Sequence, residues 1–170
     1  LRLGVHNRGE IVQQLVDNDI DLAIMGRPPQ ELETVSEPFA ENPLVFVAAP
    51  DHPLAGAKRI APKQLAEESF LLREPGSGTR AAMERFLAEN GVVPQRTVEM
   101  TSNETIKQAV MAGMGISFLS LHTIGLELKC GLIELVHVED TPIVRTWNVV
   151  HMQAKLLSPA AEALRYFILE

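Results

Sequence analysis

Apolar residues recur along this chain in two rhythms, one of period two and one of helical period. Leu1, Leu3 and Val5 alternate with Arg2 and Gly4, as in a strand with one buried face. Asn7 has the chemistry of a helix N-cap, and Glu10, three residues on, completes a capping box. Ile11, Val12, Leu15 and Val16 follow at helical spacing. Leu22-Ala23-Ile24-Met25 is an unbroken apolar run, as expected of a strand covered on both faces. This opening stretch therefore predicts a β-α-β unit.

The stretch from Arg27 to Glu41, with Pro28, Pro29 and Pro38, reads as loop. Leu44 to Ala49 is a buried strand stopped by Pro50, and Pro62 to Glu67 a short helix with proline early in its first turn. Phe70-Leu71-Leu72 is the next strand. A helix follows with Ala82, Met83, Phe86 and Leu87 inward and Gly91 as its stop. Val98 and Met100 mark a strand. Ser102 or Asn103 then caps a helix with Ile106, Ala109 and Val110 inward, ended by Gly113. Strands at Ile116 to Leu119, Leu132 to Val136 and Trp147 to Met152 complete the set, with a short helix or turn at His122 to Leu128. Ser158-Pro159 opens a terminal helix carrying Ala163, Leu164, Phe167 and Ile168 on one face. Strands alternating with helices predict an α/β fold with mostly parallel, doubly wound sheet. The irregular stretch Gly26 to Pro43 sits badly inside one sheet and reads as a crossing between two lobes.

Composition narrows the class. With 170 residues, 46% hydrophobic and 22% charged, the chain can bury a real core and is not disordered, collagenous or a coiled coil. A net charge of -7 argues against gripping nucleic acid with this chain itself. The single cysteine, Cys130, excludes an internal disulfide framework and a cysteine zinc cluster. No apolar run approaches the ~20 residues that span a bilayer. The chain opens on Leu1, without Met and in what reads as a strand, which suggests a fragment of a longer protein.

Polar residues of interest gather at helix starts directly after strands: Asn7-Arg8, Ser77-Gly78-Thr79-Arg80, and Thr101-Ser102-Asn103-Glu104-Thr105. Such ends offer unpaired N–H groups and partial positive charge to an anion, although Ser, Thr and Asn cap helices everywhere. Pro75-Gly76-Ser77-Gly78-Thr79-Arg80 is not a Walker loop, because no Gly-Lys-Ser/Thr follows. Nor is it a dinucleotide fingerprint, since Ala81 stands where a third glycine is wanted. It is not a nucleophile elbow either, since Pro75 and Thr79 flank Ser77. It remains a strand-to-helix turn whose backbone can approach an oxygen-rich group, or simply a tight turn needing glycine. Gly113-Met114-Gly115 reads as a C-cap with close packing. Arg8, Arg27, Arg73 and Arg80 lie at element ends and suit a carboxylate or phosphate if two or more face one crevice. Enzyme constellations are missing. His6, His52, His122, His137 and His151 are scattered, Ser77 has no evident triad partners, and Cys130 reads as a turn-side residue. No catalytic set, metal site or cofactor is expected.

These residues resemble the effector-binding domain of LysR-type transcriptional regulators. The resemblance is carried by Asp19-Ile20-Asp21-Leu22-Ala23-Ile24, by Pro43 through Leu54, by Val110-Met111-Ala112-Gly113-Met114-Gly115-Ile116, by Trp147-Asn148-Val149-Val150-His151 and by Leu157-Ser158-Pro159-Ala160-Ala161. Arg73 to Arg80 and Ser102-Asn103-Glu104-Thr105-Ile106-Lys107 look most like the subgroup that controls Calvin-cycle (rubisco) operons. The resemblance implies two α/β lobes of the type II periplasmic-binding-protein kind, joined by two crossing segments. Lobe I would be residues 1–43 with 151–170, its N-terminal strand and helix lying upstream, and lobe II residues 44–150. It also implies a small anionic metabolite in the interlobe cleft, a homodimer or tetramer, and a cytoplasmic protein whose DNA contacts are made by a helix-turn-helix outside this chain. No membrane partner is expected. Carried over by position, the effector site comprises Asn7 and Arg8, then Pro75, Gly76, Ser77, Gly78, Thr79, Ser102, Asn103 and Ser120. The rival readings are a periplasmic solute-binding protein of the same fold and an enzyme on that scaffold.

Overall fold

Four of the five α-helices begin where a side chain supplies a missing hydrogen bond. At α1 (Arg8–Val16), Asn7 Oδ1 accepts from the Glu10 amide at 3.0 Å and the Asn7 amide donates to Glu10 Oε2 at 3.2 Å. The capping box anticipated there is complete. Ser77, Ser102 and Ser158 cap α2 (Gly78–Glu89), α3 (Asn103–Met111) and α5 (Pro159–Leu169), each accepting from a first-turn amide. Only the one-turn α4 (Gly125–Lys129) starts without a side-chain cap.

The computed structural model describes residues 1–170. Its strands are β1 (Ala23–Met25), β2 (Thr34–Ala48), β3 (Ser69–Arg73), β4 (Arg96–Met100), β5 (Ile116–Ser120), β6 (Glu134–Val136) and β7 (Ile143–Met152). Two units are built from this chain, one from Leu1–Asn42 with Arg145–Glu170 and one from Pro43–Val144.

In the Pro43–Val144 unit, β3 runs parallel to β4 (Arg73 opposite Met100) and to β5 (Leu71 opposite Ser117). The end of β2 pairs antiparallel with β5 and β6, on its two sides. Period two sorts the apolar residues onto the two faces of this sheet. Leu44, Phe46, Phe70, Leu72, Ile116 and Phe118 meet Ala82, Met83, Phe86 and Leu87 of α2 on one face. Val45, Val47, Leu71 and Leu119 meet Ile106, Ala109 and Val110 of α3 on the other. Phe46 is fully buried, with ring centroids 4.6 Å from Phe118 and 5.5 Å from Phe86. Two covered faces explain why these strands read as continuous apolar runs.

Gly115 lets β5 start against β3. A Cβ there would lie 2.3 Å from the Ser69 carbonyl oxygen, a distance no side chain can occupy. Gly113, at φ +72°, ends the α3 turn. One residue beyond Ile116, buried Ser117 donates to the Leu71 carbonyl at 2.7 Å, tying the same pair of strands.

In the other unit β1 pairs antiparallel with β7, Ala23 opposite Val150. The core there is small: Leu15, Ala23, Met25 and Val150, with Ile11, Val12, Ile20, Leu32 and Met152 against it. Polar ties do the remaining work. Arg165 of α5 grips both oxygens of Glu37, and Lys155 Nζ donates to the Ile20 carbonyl and meets Asp21, each at 2.9 Å.

Four local expectations are corrected. The α/β class holds, but pairing is mixed rather than mostly parallel. Helical crossovers return β3, β4 and β5 in one direction, whereas β2 and β7 enter their sheets from the other unit without such a crossover. Leu1, Leu3 and Val5 form no strand and stand exposed, because alternation makes a strand only where a ladder partner exists. The supposed loop before Pro43 is partly strand: β2 runs through Pro38 and Pro43, whose rings fit extended backbone and remove only one donor each. The apolar face assigned to α5 is not buried. Ala161 packs, but Phe167 is 77% exposed, and Arg165 takes a sheltered position on the helix instead.

Candidate functional site

Because β5, β3 and β4 are parallel neighbours, their carboxyl ends lie side by side at one edge of the Pro43–Val144 unit. Ser120 ends β5, Arg73 ends β3 and leads into α2, and Met100 ends β4 and leads into α3. Ligands of open α/β sheets lie at such ends. Two of the three polar helix starts singled out above are thereby brought together in this unit. The third, Asn7-Arg8, belongs to the other unit.

The turn into α2 begins with exposed Pro75 and Gly76, the latter at φ +90°, a conformation that favours glycine. Ser77 is buried, and its Oγ accepts from the Arg80 amide at 3.4 Å. Gly78 and Thr79, both half-buried, form the first turn of α2. At the neighbouring start, Ser102 Oγ accepts from the Thr105 amide at 3.1 Å and shares a 2.8 Å bond with Thr105 Oγ1. Asn103 is half-buried at the first position of α3, and Ser120 is buried at the end of β5. In the other unit, Asn7 is committed to its capping box. Arg8 donates to the Arg27 carbonyl at 3.3 Å and to Glu31 Oε1 at 3.1 Å.

The arginines near α2 do not present open guanidinium forks. Arg73 donates through Nε and Nη2 to the two oxygens of Glu74 and through Nη1 to Asn103 Oδ1. Arg80 reaches Glu84, Glu99 and the Arg73 carbonyl. Bonds to Glu84 and then Glu99 hold the Arg80 guanidinium above its ordinary range. The sequence reading assigned no role at the site to these carboxylates or to Lys107. Lys107 Nζ lies 2.8 Å from Glu104 Oε2 and 2.7 Å from Glu127 Oε1, and both bonds raise its pKa. The i,i+3 spacing of Glu104 and Lys107 was the available signal. Hydroxyls, backbone amides and one amide side chain can together bind oxygens. No group of three or more His, Cys, Asp or Glu side chains is placed to hold a metal ion.

Residues 1–170 match the family described as LysR substrate binding domain. The chain is 55% identical over 170 residues to the HTH-type transcriptional regulator CfxR of Cupriavidus necator, covering 100% of this chain and 54% of that protein. It is 51% identical over 169 residues to the RuBisCO operon transcriptional regulator of Allochromatium vinosum, covering 99% of this chain and 56% of that one. The chain thus spans about half the length of these relatives. Among solved structures, the Synechocystis PCC6803 CcmR regulatory domain in complex with 2-PG superposes with a TM-score of 0.94 at 38% identity, over 99% of this chain and 81% of that one. A match running from the first residue to the last, on a fold that agrees this closely, places the chain in the LysR substrate-binding domain family.

Proposed function

We propose that this chain is the effector-sensing part of a cytoplasmic transcription regulator of carbon-fixation operons, and that it binds a small anionic metabolite. The binding residues would be Pro75, Gly76, Ser77, Gly78, Thr79, Ser102, Asn103 and Ser120 in one unit, with Asn7 and Arg8 contributed by the other. The observation that carries the reading is the likeness to a regulatory domain solved in complex with 2-PG. Relatives named as rubisco-operon and helix-turn-helix regulators favour it over a transport receptor. The action is binding without bond-breaking. The effector shifts the equilibrium between two arrangements of the full-length protein by its difference in affinity for them, and so alters how a homodimer or tetramer holds DNA. DNA itself is read by a helix-turn-helix outside this chain.

Thermal melting tests this directly. At about a hundredfold excess over its dissociation constant, 2-PG should raise the melting temperature by about 5–10 °C. Thr79→Ala with Ser102→Ala should abolish the shift. If neither 2-PG nor any of a panel of sugar phosphates, phosphoenolpyruvate and NADPH moves the wild-type transition, the anionic-effector reading is wrong.

A further inference from the structure

Two arginines stand beside the start of α2, and they are held differently. Arg80 is spread over three elements: Glu84 on its own helix, Glu99 on β4, and the main-chain oxygen of Arg73 at the end of β3. Freeing it would break contacts on all three. Arg73 instead directs Nε and Nη2 to one adjacent residue and Nη1 to the start of α3. Its Nε and Nη2 each donate to one oxygen of Glu74 at 2.8 Å, and its Nη1 donates to Asn103 Oδ1 at 2.7 Å. Both side chains are sheltered, at 15% exposure. Two parallel N–H···O bonds to one carboxylate is also how a guanidinium takes a phosphate or carboxylate ligand. Moreover, Glu74 lies between the last residue of β3 and the turn whose Gly76 has positive φ and whose Ser77 caps α2, outside both the strand and the helix.

We propose that Glu74 competes with the effector's anionic group for the Arg73 fork, so that Arg73 is a ligand-binding residue and Glu74 sets the threshold for occupying it. The inference rests on the anionic-effector reading above and adds these two residues to that site. A group with two coplanar or near-coplanar oxygens replaces the carboxylate in kind, which selects phosphate and carboxylate ligands over neutral ones. Displacement also gives binding a mechanical consequence. The released Glu74 belongs to the 74–77 turn, and Asn103, the other partner of Arg73, opens α3. One guanidinium therefore reports the ligand to both helix starts.

The test is calorimetric titration of the purified protein with 2-PG and with inorganic phosphate at fixed pH and ionic strength. Glu74→Gln should tighten 2-PG binding about fivefold or more, and Arg73→Gln should weaken it about tenfold or more. The decisive variant carries both changes. It should bind like Arg73→Gln alone, because the Glu74→Gln gain acts through Arg73. A gain that survives in the Arg73→Gln background, or no gain from Glu74→Gln, overturns the proposal and leaves Glu74 a structural partner of Arg73. A second measurement needs no variant: on adding 2-PG to the wild type, the Arg73 Nε–H resonance should shift while that of Arg80 stays, and a stationary Arg73 resonance overturns the proposal equally. If the wild type binds neither 2-PG nor phosphate nor any of the sugar phosphates, phosphoenolpyruvate or NADPH, the effector reading fails and takes this with it. Binding by the wild type without the expected variant pattern sinks the competition alone.

Discussion

The two units are stabilised by different means although one chain builds both. The Pro43–Val144 unit clothes both faces of its sheet, with α2 on one side and α3 on the other, and its largest side chains are fully buried. The other unit has one small apolar cluster around Leu15 and Val150 and leaves Ile24 partly and Tyr166 and Phe167 largely exposed. What it lacks in burial it makes up with long-range polar ties, of which the Arg165–Glu37 fork links residues far apart in sequence. Hydrophobic burial is non-directional and tolerant of salt and pH, whereas paired charges respond to both. The two units should therefore fail under different conditions.

The largest expected effect lies in the better-packed unit. Phe46→Ala removes a ring in contact with Phe86 and Phe118 and should destabilise by about 3–5 kcal/mol in denaturant titration. A loss below about 1 kcal/mol would break the claim that this unit lives on its core. A smaller effect, and one that depends on pH, is expected of Glu37→Gln in the other unit. The Arg165 guanidinium holds the Glu37 carboxyl below the usual carboxylate range. That contribution is therefore fully present above the ordinary glutamate value of about 4.3 and is lost as pH falls through the lowered folded value. Melting curves should show the wild type ahead of the variant by a few degrees at neutral pH, with the gap closing in acid. A gap independent of pH would mean the fork is not what ties α5 down. The smallest effect belongs to Phe167→Ser. Its ring is 77% exposed, so stability of this chain should change by no more than about 0.5 kcal/mol. A larger loss would show that the outer side of α5 is packed after all.

What could be read from the sequence was whatever depends on near neighbours. Asn7 with Glu10, Ser77, Ser102 and Ser158 mark helix starts because a cap acts within three residues. The inward sets of α2 and α3 were legible because an amphipathic helix writes its buried face at a fixed period. Ladder partners are not local, and the errors fell there: Leu1 to Val5 alternates without a partner, and Thr34 to Ala48 is strand in spite of two prolines. At the candidate site the polar residues could be named, but not the long-range partners of its arginines; Glu74 beside Arg73 and Glu84 four residues from Arg80 are local and were legible in principle. Glu99 lies 19 residues from Arg80, and Asn103 lies 30 from Arg73, joined only by the parallel pairing of β3 with β4.

Gly115 has a reach beyond its own turn. The missing β-carbon allows β5 to settle against Ser69, and the alignment set there carries along the strand, placing Ser117 opposite Leu71 and Ser120 at the carboxyl end of β5. A larger residue would force the strands apart or slide them, and because side chains alternate, a one-step slide would turn each β5 hydroxyl toward the opposite face. The position of a hydroxyl at one end of β5 is thus decided at the other end, and on the effector site proposed above a lesion at Gly115 would present as a binding defect.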